Sequence, residues 1–148
     1  MLERLKYINY AIVFQEVPDE ITLAINISGC RYRCDGCHSK YLWEYTGRYL
    51  LDDLEELISK NEYITCVCFM GGDQNMRELQ QALSICRLHS LKTCLYTGNE
   101  DVNNFVSLFP YLNWIKTGRY DKNKLSDKHM EHGVKLASAN QHLYHISP

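Results

Sequence analysis

The distribution of apolar and polar residues along the first half of the chain predicts two strands and then a helix. Mostly apolar or β-branched residues fill Leu5–Phe14 and Ile21–Ile27, and the turn-like sequence EVPDE separates the two runs. Such runs, bounded by turn residues, indicate two strands joined by a short turn. The segment Leu50–Lys60 has apolar residues at helical spacing and acidic residues near its start, which predicts a helix.

The second half of the chain continues as strand and helix in turn. The pattern predicts strands at Ile64–Met70, Lys92–Thr97 and Asn113–Gly118, and helices at Asn75–Ser90 and Glu100–Phe109, the last ending before Pro110. This βα alternation favours parallel strands with helices packed outside them. We therefore expect one α/β domain over residues 1–148, folded as a partial (βα) barrel or as an open, twisted, mostly parallel sheet.

Each predicted parallel strand ends in a glycine or polar turn. The sequences GC, GGD, TGNE and TGRYD follow the four apolar runs in order. In βα architectures the C-terminal ends of the strands gather on one side of the sheet, where ligands bind. The sequence therefore predicts a ligand site made of these four turns.

Composition and charge narrow the range of partners. The 148 residues carry 16 basic and 18 acidic side chains, a net charge of −2, which gives no electrostatic reason to expect nucleic acid or an anionic membrane surface as a partner. The sequence has no signal-peptide pattern and no apolar run of the roughly 18 residues that a membrane span needs. We expect a cytoplasmic protein, in which seven cysteines indicate metal or redox chemistry rather than disulfides.

Three of the cysteines, Cys30, Cys34 and Cys37, lie within eight residues directly after the second predicted strand. A zinc site needs a fourth ligand, and His38 is poorly placed for it because adjacent residues seldom reach the same metal. The spacing also fits one face of a helix, but Gly29 and the DG sequence after Cys34 disfavour a helix there. A 4Fe–4S cluster is the third possibility, since three thiolates would leave one iron open for a small molecule.

The spacing of these cysteines, in a loop after an early strand, resembles that of the radical S-adenosylmethionine superfamily. In that family the open iron binds the amino and carboxylate groups of S-adenosylmethionine, and one electron cleaves the sulfonium to methionine and a 5′-deoxyadenosyl radical. The resemblance implies Cys30, Cys34 and Cys37 as metal ligands, with a 4Fe–4S cluster and S-adenosylmethionine as cofactors. No catalytic side chain beyond these cofactors is expected.

The GGD turn at Gly71, Gly72 and Asp73 is the second part of the resemblance. Glycines let the backbone come close to a ligand, and a carboxylate accepts hydrogen bonds from an ammonium group. Alone, GGD is an ordinary turn sequence. In the superfamily the matching motif, one βα unit after the cysteine loop, contacts the amino group of S-adenosylmethionine, and the resemblance gives these residues that role.

Within the superfamily the chain most resembles the activating proteins of anaerobic ribonucleoside-triphosphate reductase. The likeness is carried by EVPDEITLAINISGC, CDGCHSKYLW, GGD, LYTGNE, KTGRYD and LASANQHLYHI. It implies that the chain forms a glycyl radical on the large reductase subunit and takes electrons from a reduced flavodoxin or a similar donor. Gly36 replaces the aromatic residue found before the third cysteine in many superfamily members, so the backbone at Gly36 and His38 is expected to contact the adenine.

The remaining cysteines and the C-terminal histidines are expected to be structural. Buried apolar packing accounts for Cys66, Cys68, Cys86 and Cys94, whereas His129, His132, His142 and His145 match no metal motif and are expected to be solvated or locally hydrogen-bonded. Arg31 and Arg33 either soften the charge of the cluster, meet an acidic partner surface or are simply solvated.

Two other functions stay open from the sequence. One is a small radical S-adenosylmethionine enzyme that acts on another glycyl radical enzyme or on a free metabolite. The other is a non-catalytic iron–sulfur electron carrier or a zinc module.

Overall fold

The computed structural model describes residues 3–30 and 42–146. This part of the chain contains two α-helices, α1 and α2, two 3-10 helices at Val102–Tyr111 and Lys122–Lys124, and nine strands, β1 to β9. In chain order the strands and α-helices are β1 (Lys6–Val13), β2 (Thr22–Ile27), β3 (Arg48–Tyr49), α1 (Leu50–Lys60), β4 (Cys66–Met70), α2 (Met76–Leu88), β5 (Lys92–Tyr96), β6 (Trp114–Thr117), β7 (Met130–Glu131), β8 (Val134–Lys135) and β9 (His142–His145).

Seven of these strands form one sheet in the order β3-β1-β2-β4-β5-β6-β9. The central strands β2, β4, β5 and β6 are parallel, and antiparallel strands extend the sheet on both sides. Strands β7 and β8 form a separate antiparallel pair. The predicted α/β class and the mostly parallel centre are confirmed, while the strand order among the described residues is that of an open sheet and closes no barrel.

The helices lie on one face of this sheet and cover its main core. Val67 and Phe69 of β4 point towards them and pack in the same buried cluster as Leu54 of α1 and Leu83 of α2. Successive strand residues point to opposite faces, so Cys66 and Cys68 lie on the other face, where they pack with Val17 and Cys94. In the described residues, no helix has both the length and the apolar character that crossing a membrane requires.

The two α-helices form where the sequence predicts them, and α1 has the predicted bounds. Helix α1 buries its apolar stripe, and Asp52 and Asp53 in its first turn with Lys60 in its last turn complement the helix dipole. Helix α2 begins after Asn75, whose side chain accepts a 3.1 Å hydrogen bond from the backbone N–H of Glu78. This cap satisfies one of the backbone donors that a helix start leaves without a partner.

The third predicted helix forms, but as a 3-10 helix, and its predicted end is wrong. The segment Val102–Tyr111 is a 3-10 helix that contains Pro110 instead of ending before it. Its two asparagines and β-branched and aromatic residues have low α-helical propensity, and Pro110 has no N–H to donate to an α-helical ladder. Asp101 caps the start by accepting a 2.9 Å hydrogen bond from the N–H of Asn103.

Strands β3, β7, β8 and β9 have no counterpart in the sequence prediction. Three of them contain only two residues, which is too short for an alternating pattern to be recognised. Strand β9 has one buried residue, Leu143, between more exposed neighbours. It forms because β6 offers it an antiparallel partner, with Ile115 opposite Tyr144.

Candidate functional site

The C-terminal ends of β2, β4, β5 and β6 surround a cavity of about 460 Å³. This arrangement confirms that the glycine and polar turns gather on one side of the sheet. Among the described residues, the cavity is lined by Ile27, Cys30, Leu42, Met70, Gly71, Gly72, Asp73, Gln74, Tyr96, Thr97, Gly98, Lys116, Gly118, Arg119, Tyr120 and Gln141.

Cys30 lies just beyond the end of β2, in the wall of this cavity. Its backbone N–H donates a 2.9 Å hydrogen bond to the carbonyl oxygen of Leu42, and the N–H of Gly29 donates one of 3.2 Å to that of Glu44. The chain that enters the cysteine loop is therefore tied to the chain that leaves it. The Cys30 thiol forms no disulfide and is partly exposed.

The other predicted residues of the cysteine loop lie outside the described residues. These are the metal ligands Cys34 and Cys37, the cofactor-binding residues Gly36 and His38, and the two arginines Arg31 and Arg33. Their assigned roles stay predictions.

The four cysteines that were expected to be structural are all fully buried, as predicted. Burial raises the pKa of the Cys86 thiol to about 12. It raises the pKa values of Cys66 and Cys68 well above their usual range. Because a thiolate is the form that binds metal, these buried thiols are poor cluster ligands. Of the cysteines in the described part of the chain, Cys30 is the one that fits an iron–sulfur cluster.

The turn after β4 brings its backbone to the cavity through two consecutive glycines. Gly71 and Gly72 have φ angles of 103° and 113°, in a region that other residues rarely adopt. The N–H of Gly71 donates a 2.9 Å hydrogen bond to the carbonyl oxygen of Tyr96, so the turn stays joined to β5. A Cβ atom on Gly72 would lie 3.3 Å from the Cδ1 atom of Leu79, which leaves little room for any side chain.

Asp73 follows this turn and places a half-buried carboxylate in the cavity wall. Its Oδ2 atom accepts a 3.1 Å hydrogen bond from the hydroxyl of Thr97, which in turn accepts one of 3.1 Å from the N–H of Asn99. The carboxylate therefore has a defined orientation, held by the next strand. A carboxylate placed this way suits an ammonium group, because a charge-assisted hydrogen bond is about twice as strong as a neutral one.

Two glutamines join the strand ends, and sequence reasoning missed both. The side-chain amide of Gln74 donates a 2.9 Å hydrogen bond to the carbonyl oxygen of Ser28, two residues before Cys30. The amide of Gln141 donates one of 3.2 Å to the carbonyl oxygen of Gly118. Gln74 directly follows the recognised GGD turn, which was a usable signal. Gln141 lies in LASANQHLYHI, one of the segments that carry the family resemblance, but no site role was assigned to it because this segment has no predicted element.

Thr97 was also missed as a site residue, although the TGNE turn that contains it was recognised as a strand end. Next to it, Lys116 lines the cavity and its Nζ atom lies 4.7 Å from the centre of the Tyr96 ring. The cavity thus combines an aromatic face, a cation, a carboxylate and an accessible thiol.

The fold and this site define an α/β protein with a cavity of small-ligand size at the C-terminal edge of its parallel strands. The accessible thiol of Cys30 beside the cavity suits metal or cluster ligation, and the buried thiols do not. The family comparison agrees with this class. A family model described as a 4Fe-4S single cluster domain matches residues 21–144, and the chain belongs to this family.

This membership indicates that the chain binds a 4Fe–4S cluster. The matched region covers all four strand ends of the cavity, including Cys30 and Asp73. In the comparison with curated proteins, no match to the chain was found.

Proposed function

We propose that the chain is a radical S-adenosylmethionine enzyme that activates the large subunit of anaerobic ribonucleotide reductase by forming a glycyl radical on it. When bound, the cluster supplies the electron that splits S-adenosylmethionine into methionine and the 5′-deoxyadenosyl radical that takes hydrogen from the glycine. A reduced flavodoxin or a comparable donor provides that electron. The proposal rests on one observation: Cys30 and Asp73 line the same cavity.

In this proposal, different residues of the chain bind the cluster and S-adenosylmethionine. Cys30, Cys34 and Cys37 hold the cluster, and the carboxylate of Asp73 receives the amino group of S-adenosylmethionine. The backbone of the Gly71–Gly72 turn allows the cofactor to come close, and Thr97 holds Asp73 in position. The backbone at Gly36 and His38 is assigned to the adenine on the resemblance described above.

The size of the cavity is compatible with a substrate that approaches from outside it. A volume of about 460 Å³ lies within the range of about 300–1,000 Å³ that is typical of sites for one small molecule. Once the cofactor fills this space, a second reactant reaches the radical from outside. A glycine Cα atom on a protruding loop can do so, provided that the partner holds it within contact distance of the deoxyadenosyl carbon.

The cavity also argues against a simple electron carrier. Electron transfer needs a cluster near the surface but no ligand cavity with an oriented carboxylate. A radical enzyme that acts on a free metabolite shares the cofactor chemistry, so only dependence on a protein partner separates it from the activase.

The test uses the full chain, reconstituted with iron and sulfide without oxygen and given S-adenosylmethionine and a reductant. We expect slow formation of 5′-deoxyadenosine by the chain alone. Addition of the large reductase subunit should yield a glycyl radical signal in electron paramagnetic resonance. Absence of 5′-deoxyadenosine in both cases would leave an electron carrier as the better account. Formation of 5′-deoxyadenosine without any radical on the partner would rule out the activase while keeping the cofactor chemistry.

A further inference from the structure

A cluster of two histidines and one glutamate lies in the C-terminal part of the chain, in residues that the proposed function does not use. His129, Glu131 and His142 each place one nitrogen or oxygen atom in the same small space, and these atoms all lie within 4.8 Å of one another. The Oε2 atom of Glu131 is 2.9 Å from Nδ1 of His142 and 3.4 Å from Nε2 of His129. The three residues come from β7, from the position just before it and from β9.

Hydrogen bonds around this cluster orient the Glu131 carboxylate and hold the backbone at His129. The second carboxylate oxygen of Glu131 accepts a 2.7 Å hydrogen bond from the N–H of Leu143. The N–H of Leu136 donates a 2.9 Å hydrogen bond to the carbonyl oxygen of His129. Leu136 and Leu143 are themselves buried together with Val134 against Trp114. The cluster is therefore built on a packed support and not on loose surface side chains.

The donor set is one that divalent transition metals prefer. Two imidazole nitrogens and one carboxylate oxygen are the three protein ligands of several zinc sites, in which water takes the fourth position. With metal–ligand bonds of about 2.0–2.1 Å, tetrahedral ligand atoms lie about 3.3 Å apart. The two Glu131–histidine separations in the structure, 2.9 and 3.4 Å, lie on either side of this value.

A metal ion could reach this cluster from the solvent. The side chain of His142 is 46% exposed, whereas those of His129 and Glu131 are 21% and 25% exposed, so the cluster is open to water on one side. On the other side, the carbonyl oxygen of Gln141 lies 2.7 Å from the same Nε2 atom of His129 and accepts a hydrogen bond when that nitrogen carries the proton. Metal binding replaces this hydrogen bond, with the proton on Nδ1 of His129 and Nε2 free to bind the metal.

From this geometry we propose that His129, Glu131 and His142 form a second metal site, separate from the cysteine loop, that binds a divalent transition metal of the zinc type. The metal joins the β7–β8 hairpin to β9. The other two C-terminal histidines do not take part, because the rings of His132 and His145 lie against Trp114, with centroid distances of 5.1 and 4.4 Å.

The site is coupled to the cavity through Gln141. The backbone carbonyl of this residue faces His129, and its side chain holds the carbonyl oxygen of Gly118 at the cavity edge. Gln141 therefore lies between the proposed metal site and the part of the cavity wall that follows β6.

The test is a titration of the cluster-loaded full chain with Zn²⁺ in the absence of oxygen, in which calorimetry measures the binding. The cluster occupies the loop cysteines, and an unchanged iron content shows that zinc has not displaced it. We expect one Zn²⁺ per chain. His142→Ala and Glu131→Gln should each weaken binding at least about tenfold, since even residues that only support metal ligands cost 10–100-fold.

His145→Ala is the matched control, because it removes the same side chain from the same strand without touching the cluster. It should bind Zn²⁺ like the unmodified chain. As a check on folding, Zn²⁺ should raise the melting temperature of the unmodified chain and of His145→Ala, but not that of His142→Ala. The proposal is overturned if the unmodified chain binds no Zn²⁺, or if His142→Ala binds it as tightly as His145→Ala does.

Discussion

The carboxylate of Asp73 and the hydroxyl of Thr97 lie 3.1 Å apart, and their hydrogen bond joins the turn after β4 to the end of β5. Neither residue is near the other in sequence, and the parallel register of the two strands brings them together. The orientation of the one carboxylate in the cavity wall therefore depends on its neighbouring strand. This dependence makes two separate predictions possible.

Asp73→Asn should weaken the binding of S-adenosylmethionine about tenfold while leaving the iron content unchanged. The change replaces a charge-assisted hydrogen bond with a neutral one, a difference of about 1.5 kcal/mol. Equilibrium binding to the reconstituted protein measures it. Asp127→Asn removes the same charge at an exposed position and should have no effect. If Asp73→Asn and Asp127→Asn bound S-adenosylmethionine equally well, Asp73 would not be a ligand of the cofactor.

Thr97→Val should weaken cofactor binding less than Asp73→Asn does, because it removes only the group that orients the carboxylate. The hydroxyl also accepts a hydrogen bond from the N–H of Asn99, so the turn after β5 should loosen as well. Thr97→Ser keeps the hydroxyl and should restore binding. If Thr97→Ser were as weak as Thr97→Val, the methyl group and not the hydrogen bond would be the important part of the side chain.

Cys30→Ala should abolish cluster assembly and the cleavage of S-adenosylmethionine, because two thiolates hold a cubane cluster poorly. Cys86→Ala should preserve both, since this thiol is buried in the core and its pKa is raised to about 12. Iron counting and visible absorbance after anaerobic reconstitution distinguish the two variants. A Cys86→Ala protein that folds but assembles no cluster would show that the ligands are wrongly assigned.

Gly118→Ala should destabilise the fold by about 2 kcal/mol or more. The residue has a φ angle of 96°, and an added Cβ atom would lie 2.8 Å from the carbonyl oxygen of Asn140. Gly133→Ala is the matched control, because its φ angle is 82° but its Cβ atom would meet nothing within 4 Å. Urea denaturation should show the larger loss for Gly118→Ala. Equal losses would mean that backbone strain alone determines the cost.

The stability of the fold should depend on the ionised carboxylate of Asp53. Hydrogen bonds from Arg48 and Tyr7 hold the pKa of Asp53 below its usual value. Because the folded pKa lies below the unfolded one, about 3.9, the carboxylate stabilises the fold above that value and loses this effect as the pH falls through the folded pKa. Asp53→Asn should therefore be less stable at pH 7 by about 1 kcal/mol, and the difference should shrink below about pH 4.

The neighbouring Asp52 provides the control for this prediction. Its side chain is 59% exposed and pairs with Arg4 at 2.8 Å on the surface, where ion pairs contribute little. In urea denaturation at pH 7 and below about pH 4, Asp52→Asn should have almost the same stability as the unmodified chain. A pH-independent loss in Asp53→Asn would show that packing, not charge, explains the role of Asp53.

The sequence was sufficient for the elements whose formation depends on local pattern. The bounds of α1 were predicted correctly because its buried residues, including Leu54 and Ile58, repeat at helical spacing. The cavity edge was also predictable, since parallel strands must end on the same side. The sequence places the GGD turn at this edge, and in the structure the turn lines the same cavity as Cys30.

What the sequence did not predict depends on contacts between distant segments. The hydrogen bond of Gln141 to Gly118 and the meeting of Glu131 with His142 exist because β9 pairs with β6 and the β7–β8 hairpin packs beside it. A strand of four residues with one buried side chain carries too weak a pattern to be recognised alone. The 3-10 type of the helix that contains Pro110 was not predicted for another reason: helical spacing of apolar residues does not distinguish a 3-10 helix from an α-helix.

The edges of the seven-stranded sheet have a consequence for solubility and for aggregation. Within the described residues, one edge ends in β3, which pairs only with Lys6 and Tyr7 of the eight-residue β1, and the other edge is β9, with four residues. An exposed strand edge recruits other chains through its unpaired backbone groups, and short edge strands limit this recruitment. Among the described residues, the rest of β1, residues 8–13, has no strand along its outer side, and Tyr10 and Ile12 are exposed there. This part of the edge is therefore open to strand-to-strand addition, and a partner or a further copy of the chain could pair with it through backbone groups.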